Sequence, residues 1–285
     1  GICMAAGFLT GYGIMLWRAR RTRFPIQRVS DLSFVGVVSG IVGARIYYVV
    51  LFWEEQFAGR PWTLMFAIHR GGLVFLGGFI GALVAIVVFC RMKDLLVLEV
   101  ADLFALAVPL GHAFGRLGCF LNGCCYGRPT ESWFGFSYPV HYDVVEGKPV
   151  WSGYVSLAKS QIEDGIVDTQ WVIEHGHTHP VVPVQLFNSG KNLAICLLLL
   201  ALVRWGVQKY RGELFAWFLM LAGLGRFTTE FWRGDYDAQD FTLGLGNTQW
   251  LSLALAVCGV GLQVWCRRVR PELPARAAEP AAGDE

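Results

Sequence analysis

The stretch Leu98-Glu-Val-Ala-Asp-Leu-Phe-Ala-Leu-Ala-Val-Pro-Leu-Gly-His-Ala-Phe114 runs straight into Gly115-Arg-Leu-Gly-Cys-Phe-Leu-Asn-Gly-Cys-Cys-Tyr-Gly127, and its reading decides the fold. An apolar run of this length, prolonged into its flank, is a membrane-spanning helix. Arg116 lies at its end. An arginine at membrane depth costs about 2.5–3.5 kcal/mol on insertion scales, so it marks a site that handles a polar or anionic group. Gly115, Gly118, Gly123 and Gly127 let backbone or a ligand approach closely.

The rest of the chain agrees. Of its 285 residues, 54% are hydrophobic and 16% charged, against about 45–50% and 25% in soluble domains. Apolar stretches occur at Gly1–Leu16, Leu32–Phe52, Gly71–Cys90, Leu98–Phe114, Leu193–Trp205, Leu214–Leu224 and Trp250–Trp265. The fifth and sixth are shorter than the roughly 20 residues a span needs and are expected to extend into their flanks. The expectation is an all-α integral membrane protein, a seven-span helical bundle.

Basic residues set its orientation. Arg18, Arg20, Arg21, Arg23 and Arg28 crowd the first connection, and Arg91 and Lys93 lie in the third. Arg204, Lys209 and Arg211 fill the fifth, and Arg267, Arg268, Arg270 and Arg276 follow the last span. The positive-inside rule puts all of these in the cytoplasm, hence the N-terminus outside and the C-terminus inside. The start at Gly1, already apolar, reads as a first span missing some N-terminal residues.

The chain divides into spans 1–4 with the Arg116 motif (1–127), a hydrophilic segment (128–190), spans 5–7 (191–266) and an Ala/Pro/Glu-rich tail (267–285) expected to be disordered and cytoplasmic. The hydrophilic segment falls outside and is expected to form a small irregular or β-containing external cap. His175, His177 and His179 alternate within it and read as a solvated loop. Cys3, Cys90, Cys196, Cys258 and Cys266 are scattered singly, as small hydrophobes are. Cys119, Cys124 and Cys125 cluster, but C-x4-C-C is not the paired spacing of a structural zinc site, so no metal is expected. A Cys119–Cys124 bridge is compatible with an oxidising outer side. The Gly-rich runs at 71–81 and 111–127 lack a strand context or a Walker lysine, so no nucleotide or nucleic acid is expected. Gly77, Gly78 and Gly81 instead predict tight helix packing.

With this topology Arg45, Arg116 and Arg226 fall at similar outer depth on three spans, with Glu230 and Arg233 just beyond Arg226. A phosphate is the natural guest of clustered guanidinium forks. His112 lies one helical turn before Arg116, and Asp102 deeper in the same span reads as a paired buried acid.

The Arg116 motif resembles the signature of prolipoprotein diacylglyceryl transferases, membrane enzymes that lipidate the cysteine of exported lipoproteins. The resemblance continues in Val42-Gly-Ala-Arg-Ile-Tyr47, Gly71-Gly-Leu-Val-Phe-Leu-Gly-Gly78, Pro183-Val-Gln-Leu-Phe187, Gly225-Arg-Phe-Thr-Thr-Glu-Phe-Trp-Arg233 and Gln249-Trp-Leu-Ser252, in the family's order. It implies transfer of the diacylglyceryl group of phosphatidylglycerol to a lipobox cysteine thiol, releasing glycerol phosphate. It also implies a multi-pass protein of the bacterial inner membrane, with its site toward the outer leaflet, acting on phosphatidylglycerol and a lipobox-bearing prolipoprotein without a cofactor. By that resemblance Arg116 and Arg226 are catalytic phosphate or headgroup contacts, Asn122 and Gly127 shape the substrate site, and Glu230 and Arg233 support it electrostatically. Arg45 joins the substrate-binding candidates by its outer depth. Leu76, Ala222 and Cys124 depart from the family pattern, where His or Tyr, Tyr, and an acid are common. His112, with a reference pKa of about 6.5, is then the nearest candidate for a general base. Otherwise the arginine field alone lowers the thiol's pKa and no dedicated base is needed. The alternatives are a non-catalytic lipid-binding or transport protein on the same bundle, or a paralogous lipid transferase with another acceptor.

Overall fold

The structure, a computed structural model, describes residues 1–67, 71–145, 148–232, 241–242 and 245–269. Arg233 and the tail from Arg270 onward lie outside the described residues. The described chain is mostly helical, with long helices α1 (Ile2–Thr22), α2 (Ile26–Leu51), α3 (Phe75–Met92), α4 (Val97–Leu121), α7 (Val184–Arg204), α8 (Glu213–Glu230) and α9 (Asn247–Val269). Between α4 and α7 lie an antiparallel hairpin, β1 (Val140–Val145) with β2 (Lys148–Gly153), and two short helices, α5 (Val155–Glu163) and α6 (Thr169–His175). All the long helices except α8 are long and apolar enough to cross a membrane, six in total among the described residues. Large side chains such as Phe34, Ile41 and Val50 on α2 and Phe79 and Val84 on α3 point outward. Such a surface would aggregate in water and suits lipid.

The described chain divides into two compact units, residues 1–11 with 105–269, and residues 12–104. In the second unit α2 and α3 touch backbone to backbone. A Cβ at Gly43 would lie 2.5 Å from the Gly77 carbonyl oxygen, and one at Gly81 would lie 2.8 Å from that of Ser39. This is the small-residue crossing expected from Gly77, Gly78 and Gly81. Arg45, only 8% exposed, spends its guanidinium on main chain. Nε donates to Met65 O (2.8 Å), Nη2 to Leu64 O (2.7 Å), and Nη1 to Gly71 O (2.8 Å) and Gly72 O (3.0 Å). The cation also faces the rings of Tyr48 and Phe57, 5.3 and 5.7 Å from their centroids. Its position in a span thus has a structural cause, the fastening of an irregular loop.

In the first unit α8 and α9 meet through Gly223, where a Cβ would lie 2.6 Å from Ser252 O, and Gly259, where it would lie 2.9 Å from Ala216 O. Helix α7 is tied to α4 by Ser189 Oγ donating to Ala113 O at 2.9 Å and Cys196 Sγ donating to Leu106 O at 3.6 Å. Helix α8 starts where the carboxylate of its first residue, buried Glu213, accepts from the Lys209 and Tyr210 amides at 2.7 and 3.1 Å. That end carries a further ion pair to Arg267 at 3.4 Å.

Helix α7 begins nine residues earlier than the apolar run suggests, at Val184 rather than Leu193. The apolar count stopped at Gln185, Asn188, Ser189 and Asn192, yet all four are buried. Their i, i+3, i+4, i+7 spacing puts them on one helix face, turned into protein while the opposite face stays apolar. Polar residues ended the apolar run without ending the helix.

The backbone contact between α2 and α3 gives a stability test. Gly81→Leu should destabilise the protein by about 2–3 kcal/mol, because backbone atoms cannot yield to a side chain. Gly261→Ala, in open space on α9, should stay within about 0.5 kcal/mol. Thermal unfolding in detergent measures both, and equal melting temperatures would refute the close crossing.

Candidate functional site

Three helices of the first unit bring charge together. On α4, His112 and Arg116 are one turn apart, and Arg116 Nε donates to His112 Nε2 at 3.2 Å. On α8, Arg226 pairs with Glu230 one turn on, at 3.0 Å; the Glu230 side chain is 2% exposed and the Arg226 side chain 26%. The acid is thus sequestered, while the guanidinium is partly exposed. Between them α7 contributes Lys191, whose Nζ donates to Asn188 Oδ1 at 2.9 Å and Gly225 O at 3.4 Å. A Cβ at Gly225 would lie 2.7 Å from Lys191 Cδ, so that glycine is what lets the lysine lie across α8. Arg116, Lys191 and Arg226 all act electrostatically on the His112 ring, which Asn192 also adjoins. Arg116 and Arg226 likewise both act on Lys191, opposed by Glu230. Among the described residues, three cations thus share one neighbourhood with the Glu230 carboxylate, an arrangement suited to an anion.

The motif loop closes the end of α4. Tyr154 Oη donates to Leu121 O at 2.8 Å, and its ring lies where a side chain at Gly123 would go, 2.2 Å from a Cβ there. Gln185 Nε2 donates to Cys124 O at 2.9 Å. Gly127 N donates to Val182 O at 2.9 Å, and a Cβ at Gly127 would lie 2.5 Å from Val184 Cγ2 and 2.8 Å from Trp232 O. Arg128 donates to Phe231 O, joining the loop to the end of α8. Behind the loop, Tyr138, Leu157 and Val181 form a small core with Phe120, Tyr126 and Tyr154. Buried Gln161 pairs with the main chain of His179 through both amide atoms, at 3.0 and 2.8 Å. His175, His177 and His179 gather around the Trp171 ring.

Of the residues expected from sequence, His112, Arg116, Arg226 and Glu230 share this neighbourhood. Asn122 is exposed just beyond α4, and Gly127 is buried where the loop passes α7. Arg45 belongs to the other unit and binds the carbonyls described above. Arg233 lies outside the described residues, Asp102 is buried in α4, and Leu76 is exposed. Sequence reasoning missed Lys191, Asn188 and Asn192. The signal was present in the period of the polar residues of α7, but a search for apolar runs discards it.

Comparison with known proteins adds the following. A family model described as prolipoprotein diacylglyceryl transferase matches residues 1–265. A phosphatidylglycerol–prolipoprotein diacylglyceryl transferase of Rhodospirillum rubrum is 32% identical over 275 residues, covering 93% of this chain and 86% of its own. That of Idiomarina loihiensis is 31% identical over 281 residues, covering 96% and 89%. That of Paraburkholderia xenovorans is 34% identical over 259 residues, covering 87% and 80%.

Tyr138 beside the motif loop gives a pH test. Burial pushes its phenol up to about 12, while Gln185 Nε2 donates to its oxygen at 3.3 Å. The unfolded phenol ionises near about 10. Between those values the folded state holds the extra proton, so stability is complete below about pH 10 and falls as pH rises toward 12. Melting temperature against pH should therefore fall less steeply in that window for Tyr138→Phe than for the natural protein. Parallel curves would contradict this assignment.

Proposed function

Because this chain belongs to the prolipoprotein diacylglyceryl transferase family, we propose that it transfers the diacylglyceryl group of phosphatidylglycerol to the lipobox cysteine thiol of a prolipoprotein. The observation that carries the reading is the convergence of Arg116, Lys191 and Arg226 from α4, α7 and α8. In the reaction the acceptor sulfur bonds to the glyceryl carbon as the carbon–oxygen bond to phosphate breaks. The electron pair leaves on the phosphate oxygen, and glycerol phosphate departs. Cations fixed beforehand around that phosphate stabilise the charge as it develops. Glu230 holds Arg226 in place, and its burial keeps it from competing for the substrate's position. His112 Nε2 already accepts from Arg116, so its first task is to orient that guanidinium. It takes a proton from the thiol only when this bond is exchanged for one to the incoming sulfur. Asn122 and Gly127 shape the loop above the phosphate, and Arg233 supports it from beyond α8.

We read the protein as a seven-span bundle in the bacterial inner membrane, with α8 as the additional span. Helix α8 has three charges in its 18 residues, Glu213, Arg226 and Glu230, all toward its two ends. Its middle is apolar, and the charges are held within the protein. The basic residues at the ends of α1, α3, α7 and α9 support a cytoplasmic placement for those ends. The hairpin with α5 and α6 is then the external cap, on the side where exported substrates arrive.

The deciding experiment incubates the purified protein with glyceryl-labelled phosphatidylglycerol and a lipobox peptide, and reads thioether formation by mass. Lipid bound without thioether would establish the non-catalytic alternative. Arg116→Lys should lower kcat by about 100-fold, since a point charge does not replace a planar fork. Lys191→Met should lower kcat/KM by about tenfold or more, the loss of one charge-assisted contact. Near-normal transfer by both variants would refute the phosphate assignment.

Orientation has its own test. Ser160→Cys, on α5, should gain labelling by a membrane-impermeant maleimide in intact spheroplasts. Labelling that appears only after the membrane is opened would reverse the topology.

A further inference from the structure

The three clustered cysteines converge more closely than their spacing in the sequence suggests. Cys119 occupies the last turn of α4. Past that helix the chain doubles back through Gly123 (φ 66°) and Cys125 (φ 59°), and the Cys124 amide donates to Cys119 O at 3.1 Å. Tyr154 and Gln185 hold the turn through the Leu121 and Cys124 carbonyls. The outcome is that the three sulfurs lie within 4.8 Å of one another. Thiolates bound to one ion at about 2.3 Å stand roughly 3.8–4.0 Å apart, so small side-chain rotations close the gap. Cys125 also takes a left-handed backbone that a side-chain-bearing residue adopts at about 1–2 kcal/mol. Such strain persists where the surroundings impose it, and gathers at functional sites.

We propose that Cys119, Cys124 and Cys125 form a three-thiolate site for a thiophilic divalent cation of the zinc class, whose fourth position binds the acceptor cysteine. The metal site stands on the cluster itself. The role of the fourth ligand rests on the transfer reaction proposed above. Three cysteines are the whole metal-ligating group found there among the described residues, and zinc with three protein ligands keeps one position for a reactant. A thiol bound there becomes a thiolate, its proton passing to His112 as in the transfer proposed above. That sulfur attacks the glyceryl carbon, the carbon–oxygen bond breaks, and the pair leaves with the phosphate. The thioether formed is a weak ligand and departs. The three thiolates and a divalent ion carry net charge −1, balanced by Arg116 one turn back, whose charge acts on Cys119. This supplies an activated thiol in a chain with Leu76, Ala222 and Cys124 in place of the family's usual polar groups.

The probe is Co(II), added to the reduced, detergent-purified full chain under anaerobic conditions. A thiolate-to-cobalt charge-transfer absorption saturating at one ion per chain and displaced by Zn(II) is expected. Cys119→Ser and Cys125→Ser should each weaken binding by at least about 100-fold, whereas Cys258→Ser should bind as the natural protein does. A lipobox peptide should shift the cobalt spectrum, and the same peptide with Ser for Cys should not. Absence of the band, its survival in both cluster variants, or a Cys119–Cys124 disulfide that re-forms after reduction and blocks uptake would overturn the metal site. Equal thioether formation by metal-depleted and zinc-loaded protein would overturn the activating role. A peptide-dependent spectral shift without thioether from either form would leave the metal site standing and count against the transferase reading instead.

Discussion

Every charged or polar group carried into a lipid-crossing helix must find its partner inside the protein, and this requirement organises the molecule. Arg45 meets it with main-chain carbonyls, fastening the loop between α2 and α3. Glu213 meets it with the amides that precede α8. Arg226 meets it with Glu230. Lys191 meets it with an asparagine and a helix carbonyl. The same rule that penalises each charge makes its location informative. Where the partners are all main chain, the charge is structural. Where three cations gather beside the Glu230 carboxylate among the described residues, the setting suits an anion.

Packing makes that surplus usable. Gly225 lets Lys191 cross α8, and the Ser189 bond to Ala113 holds α7 on α4. The motif loop is fastened from three directions, by Tyr154, by Gln185 and by the fit of Gly127 between Val184 and Trp232. An anion entering such a site meets donors whose positions are already fixed, so little reorganisation is needed as charge moves onto a leaving phosphate. In water the same three charges would be screened and mobile.

The segment between α4 and α7 extends this logic. Its hairpin and short helices enclose small cores of their own, and Tyr138 belongs both to one of these cores and to the contact with Gln185. A change in that segment therefore reaches the cysteine turn through one shared amide. The turn follows directly on the helix that carries Arg116, and Cys119 stands one turn beyond that arginine on α4.

Much of this was legible in the amino-acid sequence. Apolar runs, the arginines that interrupt them and the ordered motifs determine a helical membrane protein and its family, because lipid accepts only a narrow range of side chains and each exception carries information. The close crossing at Gly77 and Gly81 was legible for the same reason. Tertiary structure alone decided the rest. Arg45 and Arg116 look alike as arginines in apolar surroundings, and only three-dimensional contacts separate a guanidinium saturated by carbonyls from one beside other cations. Lys191 was hidden because linear hydropathy averages the faces of a helix, while burial acts on each face separately. The cysteine trio was hidden because a C-x4-C-C spacing says nothing of a left-handed turn. Spacing along a chain becomes distance in space only once the backbone between has been given its dihedral angles.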